Sequence, residues 1–255
     1  MNIREAVIAL IFFTGAVLPV TAIYAQEDPK VLFYKANDFY ENGEYDAAIS
    51  EYEKILADGY ESGAVYYNLG GAYFKAGKLG KAILSYERAG KLMPRDADLA
   101  ANIRFARSKI KGGKVVPRRT IWDWTPLKMY SASFSTNELT VFASVTYVAV
   151  VLLLVLGVIN YGIRKKILIT SGILLILIVL NSAVIWKKSG GMGKDAVVIA
   201  PKTEALFGPF ESETKFFTLY EGADCTVVKS KGVWYKIRRA DGKTGWVKEN
   251  KVEIV

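Results

Sequence analysis

What this chain lacks limits its chemistry more than what it carries: 255 residues contain no histidine and a single cysteine, Cys225. Without histidine the commonest general base is missing, and so are the imidazole ligands of most zinc and copper sites. A lone thiol forms no internal disulfide, and with no imidazole beside it a cysteine nucleophile lacks its usual activating base. Cys225 falls in the strand-like run Cys225, Val227 and reads as a small buried apolar group. Gly190 to Gly193 does not read as a phosphate cradle, because no strand precedes it and no helix signal comes after it. No enzyme activity, metal or cofactor is expected. The chemistry that remains is recognition through rings, amides and charge.

The elements that must position those groups begin with an internal repeat. Phe39, Gly43, Ala48, Tyr52 and Glu53 align with Tyr73, Gly77, Ala82, Tyr86 and Glu87 at a constant offset of 34 positions. This is the period of tetratricopeptide helix-turn-helix repeats. The second copy carries Tyr66, Leu69, Gly70 and Tyr73 on a first helix, Ala82, Tyr86 and Ala89 on a second, and closes at Pro94. Spacings of three and four keep each set on one helical face. The small residues Gly70 and Ala82 belong where the paired helices approach most closely. The first copy is looser, with Leu32, Ala36, Ile55 and, in the proline's place, Tyr60. Asp96 to Ile110 reads as a terminal helix shielding the last repeat.

In tetratricopeptide arrays the first helix of each repeat lines a concave groove. The matching positions here are Phe33, Asn37, Tyr40, Tyr67, Asn68, Phe74 and Lys75, which makes this face a candidate peptide groove. Asn37 and Asn68 match the amides that hold a peptide backbone in carboxylate-clamp members. Phe33 and Asp98 stand where the clamp's lysines would be, so a free C-terminal carboxylate is not the expected ligand.

Composition points to a membrane. The chain is 51% hydrophobic with a mean hydropathy of +0.18, and the apolar residues are concentrated in three segments. Residues 1–25 resemble a secretory signal, cut after Ala25 or retained as an anchor; in either case the next segment is exported. Residues 139–159 and 167–186 are uncharged runs of about 20 residues, the length of helix that crosses a bilayer. Ser135 and Glu138 form a capping box ahead of the first. The loop 160–166 holds Arg164, Lys165 and Lys166 and is expected on the cytoplasmic side. Both flanking modules then lie outside an inner membrane.

Residues 195–255 change character. Alternation over Val197 and Ile199, Thr226 to Lys229 and Trp234 to Arg238, with Lys231-Gly232 and Asp241-Gly242 as turns, indicates a small β-barrel. Leu219 to Gly222, Gly232 to Ile237 and the run Asp241-Gly242-Lys243-Thr244-Gly245-Trp246-Val247 resemble a bacterial SH3-like domain. Gly245 is read as a sharp turn into the next strand. Tyr220, Trp234, Tyr235 and Trp246 are the surface candidates, the two tryptophans being read as barrel support or as ligand contacts.

Charge is uneven. Acids dominate from Glu27 to Glu61 and bases from Lys75 to Lys128, so the net charge of +9 is local. The basic stretch is read as a solvated face or, with Trp122 and Trp124, as lying against anionic head groups of the bilayer. An exported domain would not meet nucleic acid.

The expected fold is a multidomain membrane protein. It comprises all-α tetratricopeptide repeats (29–111), a linker and membrane-interface segment (112–138), a two-helix transmembrane hairpin and a small all-β SH3-like barrel (195–255). This order resembles the BatE family of the Bacteroides aerotolerance operons. The resemblance implies an inner-membrane component beside von Willebrand A-type membrane proteins and a MoxR-type ATPase. The function so implied is a non-catalytic scaffold presenting two interaction modules in the periplasm. The alternative is a cell-wall sensor binding peptidoglycan or its stem peptides through the SH3-like domain.

Overall fold

The computed structural model describes residues 27–111, 126–189 and 194–255. The expected export signal, most of the expected linker with Trp122 and Trp124, and Gly190 to Gly193 lie outside the described residues.

Five helices come first among the described residues: α1 (Pro29–Glu41), α2 (Tyr45–Ala57), α3 (Gly63–Lys75), α4 (Leu79–Leu92) and α5 (Ala97–Ser108). Three starts are fixed by side-chain oxygens that accept otherwise unpaired N–H groups: Asp28 from Lys30, Ser62 from Val65, and Asp96 from Leu99. Within each repeat the turn falls on a glycine with positive φ, Gly43 at +80° and Gly77 at +76°, a backbone conformation in which other residues are strained. Gly70 is small by necessity, since a Cβ there would lie 2.6 Å from the Tyr86 ring. Ala36, Ala48, Ala72 and Ala82 are fully buried between the helices, with Tyr52 and Ile55 filling the space beside them. Buried Glu51 on α2 is paired with Lys35 of α1 and Lys54, and the Lys54 hydrogen bond outweighs burial to hold its carboxyl below the usual range.

A short helix α6 (Pro126–Ser133) leads into α7 (Thr136–Ile159) and α8 (Arg164–Lys188). Ser135 and Glu138 cap α7 reciprocally, at 3.2 and 2.8 Å. Arg164, Lys165 and Lys166 form the first turn of α8 rather than lying in the connecting loop, because four residues suffice to reverse the chain. Asn160 accepts the Gly162 N–H at 3.2 Å to make that turn. Both helices are long and apolar enough to cross a membrane, and little of either apolar run is buried. Their apolar surface therefore faces outward. One buried polar anchor ties the hairpin: Asn181 donates to the Leu139 carbonyl at 2.8 Å and accepts from the Tyr130 hydroxyl.

The last quarter folds as seven strands, β1 (Lys194–Val198), β2 (Lys202–Leu206), β3 (Lys215–Tyr220), β4 (Asp224–Lys231), β5 (Trp234–Arg239), β6 (Thr244–Lys248) and β7 (Val252–Ile254). They pair antiparallel in the order β3-β2-β6-β5-β4-β1-β7. All seven contribute to one buried cluster, from Ala196 on β1 to Val252 on β7, so the sheet bends around its own core. It does not close into the expected barrel: β3 and β7 are its two edges. The β7 edge is covered by a helix. Arg88 of α4 donates to the Ile254 carbonyl at 2.8 Å and Lys91 to Val255 O at 2.7 Å, which blunts an edge otherwise open to strand pairing. Gly245 sits inside β6 opposite Ile237, not at a turn. Its small size is needed because a Cβ would lie 2.9 Å from that of Ala205 and 3.2 Å from the Phe217 ring.

Sheet and repeats share a core. Val197 of β1 is fully buried in one cluster with Ile83, Leu84, Tyr86 and Ala89 of α4 and Leu99 and Ala106 of α5. The apolar face of the last repeat is thus shielded by α5 and the sheet together.

Candidate interaction surfaces

Phe33, Asn37 and Tyr40 recur at spacings of four and three along α1, and Tyr67, Asn68, Phe74 and Lys75 lie along α3. The structure joins the two helices through their asparagines. Asn37 Oδ1 accepts from the Tyr52 hydroxyl at 2.5 Å and from Asn68 Nδ2 at 3.0 Å. One amide oxygen is therefore used inside the fold, and it fixes the orientation of both side chains. Burial pushes the Tyr52 hydroxyl up to about 12, so it stays a donor at any physiological pH.

The aromatic members are partly buried rather than freely displayed. Phe33 packs edge-on against Tyr52, with ring centroids 6.0 Å apart. Tyr40 meets Tyr45 at 5.5 Å and leans over Gly71 of α3, where a Cβ would make ordinary contact with its ring at 3.5 to 3.8 Å. Burial, then the neighbouring tyrosines, raise the Tyr40 hydroxyl above its ordinary value. Tyr67 accepts a hydrogen bond from Asn102 of α5 at 2.9 Å, and the Phe74 ring packs at a tilt, 5.5 Å between centroids, against Phe105, which is itself exposed. Lys75 is exposed and makes no ion pair among the described residues. The far end of this face is thus completed by Asn102 and Phe105. Sequence reasoning placed them on the terminal helix without assigning them to the groove, although their spacing of three was visible.

On the sheet, ladder register separates the four candidates. Tyr235 is opposite Val247, which is fully buried, and packs against the core. Trp234 is opposite Lys248, and Lys236 opposite Trp246. These four residues share the other face, because directly opposed residues of an antiparallel pair point the same way. The tryptophans are therefore on the outer face and not in the core cluster. Lys248 lies 5.9 Å over the Trp234 ring and 2.5 Å from Glu211, whose carboxyl it holds below the usual range. Tyr220 ends β3 opposite Lys202, four positions along β2 from the Leu206 that faces Trp246.

A third surface is already occupied. Arg107 of α5 reaches Glu87 and Asp224, each at 2.9 Å, and Arg88 reaches Glu253 at 3.0 Å. Burial pushes the Glu87 carboxyl up, against the pull of Arg107. Cys225 is buried in β4, and burial lifts its thiol to about 12.

The paired helices and the face formed by α1 and α3 define a helical-repeat module built for contact with other proteins. Residues 35–97 match the tetratricopeptide repeat family, so this part of the chain is similar to tetratricopeptide repeats. No curated protein matches the chain.

Proposed function

We propose that this chain is a non-catalytic inner-membrane scaffold. Its repeats present the groove of α1 and α3 to a partner protein, and the apolar hairpin fixes that groove beside the bilayer. The observation that carries the reading is where the hairpin ends meet the rest of the chain. At the start of α7, Arg95 reaches Glu138 and the Ser133 carbonyl. At the end of α8, Lys188 donates to the Ser131 and Phe134 carbonyls at 2.9 and 2.5 Å. Repeats and sheet therefore gather at one end of two outward-facing apolar helices, as a hairpin crossing a membrane twice requires of modules in one compartment. Arg164, Lys165 and Lys166 at the opposite end favour that end as the cytoplasmic one, which leaves both modules in the periplasm. The resemblance to the BatE family supplies the partner class, von Willebrand A-type membrane proteins and a linked MoxR-type ATPase, in an aerotolerance or stress-related complex.

The test is affinity purification of the full-length chain from gently solubilised membranes, with mass spectrometry of the proteins that accompany it. Recovery of membrane proteins that is lost in an Asn68→Ala variant supports the scaffold; a chain recovered alone contradicts it. A second reading, the wall sensor, has the outward Trp234 and Trp246 in its favour, since rings on a solvent face suit stacking on a glycan. Sedimentation with murein sacculi, lost in Trp234→Ala, would favour it.

A further inference from the structure

We propose that a cavity where repeats, hairpin and sheet meet is a binding site for an anionic phosphate group, in place the head group of a bilayer lipid. The cavity, about 360 Å³, is bordered by Lys91 of α4, Lys187 and Lys188 at the end of α8, and Lys194 of β1. That volume lies in the range of about 300–1,000 Å³ found for small-ligand sites. Ser131 and Ser189 add hydroxyls that can donate to phosphate oxygens.

Four lysines line the cavity, with one acidic side chain, Asp195, and with Val255, whose oxygen Lys91 holds. Two of the four are committed: Lys188 to the Ser131 and Phe134 carbonyls, and Lys91 to Val255 O. Lys187 and Lys194 make no hydrogen bond or ion pair among the described residues and remain available. Like charges around a restricted space repel one another unless an anion lies between them. A phosphate accepts from several ammonium and hydroxyl donors at once.

Depth selects the lipid source and rests on the membrane reading above. Lys187 and Lys188 close the apolar run of α8, and Trp186 beside them is exposed. A helix end so built belongs at the level of the head groups. A bound anionic lipid would add to the contacts that already hold the hairpin, the repeats and the sheet together.

The experiment uses the full-length chain in detergent micelles, titrated with phosphatidylglycerol, phosphatidylcholine, glycerophosphoglycerol or inorganic phosphate. Thermal unfolding and lipid adducts in native mass spectra are the readouts. Phosphatidylglycerol is expected to raise Tm and to leave several-fold more adducts than phosphatidylcholine. The double variant Lys187→Gln/Lys194→Gln is expected to lose that preference while keeping its lipid-free Tm. An equal shift with inorganic phosphate or glycerophosphoglycerol would keep the site but overturn its assignment to lipid. Absence of any preference in the unaltered chain, or the same preference in the variant, overturns the site. Carbonate washing of native membranes separates this failure from that of the membrane reading: a chain stripped by carbonate was never inserted, whereas a retained chain without preference lacks only the site.

Discussion

Gly80, in the first turn of α4, donates its backbone N–H to Glu221 Oε1 at 2.9 Å across 141 residues of sequence. The contact is made at backbone distance. A Cβ at Gly80 would lie 2.5 Å from the Val198 carbonyl oxygen and 2.9 Å from the Ile199 Cα. On the other side Gly222, at φ +83°, leaves room for the Ile83 methyl, which would sit 2.7 Å from an added Cβ. Two glycines, one from each module, thus set how closely the repeats and the sheet approach.

Replacing Gly80 with alanine should reverse an ordinary sign. Within a helix alanine is about 0.5–1 kcal/mol more stable than glycine. Here the obstructing atoms are backbone and cannot rotate away, so Gly80→Ala is expected to weaken docking by about 1–3 kcal/mol, the usual range for overpacking. Hydrogen exchange in the full-length chain reads it directly: amides of β1 and β7 should exchange faster, while those of α1 and α2 stay protected. Unchanged exchange at Val198 and Val252 would show that the sheet does not rest on α4.

The same interface carries a pH dependence through Glu87. Burial raises its carboxyl above the ordinary 4.5, Asp224 and Asp195 add to the rise, and Arg107 opposes it. A raised folded value means the fold holds this proton more tightly than the unfolded chain does. Its contribution is therefore complete below about 4.5 and is lost as pH rises through the folded value. Arg107→Ala removes the offset, so it should destabilise more at pH 7 than at pH 4, by about 1 kcal/mol at neutrality for a partly exposed pair. Adding Glu87→Gln should flatten the difference. Urea midpoints at the two pH values decide it, and an equal loss at both would mean that Arg107 acts only by packing.

How much of this was legible depends on how local each signal is. The 34-residue offset and the Gly70–Tyr86 contact involve near neighbours in sequence, so the repeats could be read directly. The apolar hairpin was legible from composition alone. The strands showed in their alternation, but the pairing of β7 with β1 joins residues 54 to 58 apart, and the covering of that edge by Arg88 and Lys91 depends on contacts more than 160 residues apart. Gly80, Arg88 and Lys91 look like ordinary helix residues until the sheet arrives. Gly245 was misread as a turn because proximity to Ala205 leaves no trace in the sequence. The outward face of the tryptophans was present in the pattern: with Ile237 inward, Tyr235 is inward too, and Trp234 and Lys236 face out. Among the groove candidates, Asn37 and Asn68 follow from their positions in the repeat, whereas the hydrogen bonds that join them to each other and to Tyr52 do not.

That hydroxyl separates structural from binding roles. Asn37→Leu would leave the hydroxyl of Tyr52, a residue only 1% exposed, without its acceptor. An orphaned buried donor costs about 1–3 kcal/mol, so this variant should melt earlier whatever the groove binds. Asn68→Ala removes one of the two donors to Asn37 and leaves the Tyr52 bond in place, so its cost should be about 1 kcal/mol or less. If the groove takes a peptide, Asn68→Ala is the variant that loses partner capture while remaining folded. Capture that survives Asn68→Ala and falls only with the loss of stability in Asn37→Leu would mean the amide pair is architectural.

Cys225 offers a probe of the sheet because its chemistry is suppressed. The residue is 6% exposed, its Sγ is 3.6 Å from the Ala196 carbonyl, and burial, then Asp224, lift the thiol to about 12. Reaction with an alkylating reagent needs the thiolate and access, and the fold withholds both. Native protein at neutral pH should therefore resist labelling that goes to completion in denaturant. Residual labelling should proceed at the rate at which β1 lifts from β4, and so match hydrogen exchange of the β1 amides. Cys225→Ala should leave partner capture intact and cost about 1 kcal/mol through the small cavity it opens. Rapid stoichiometric labelling of the native chain would instead place the thiol at an accessible, activated site, and the non-catalytic reading of this residue would have to be abandoned.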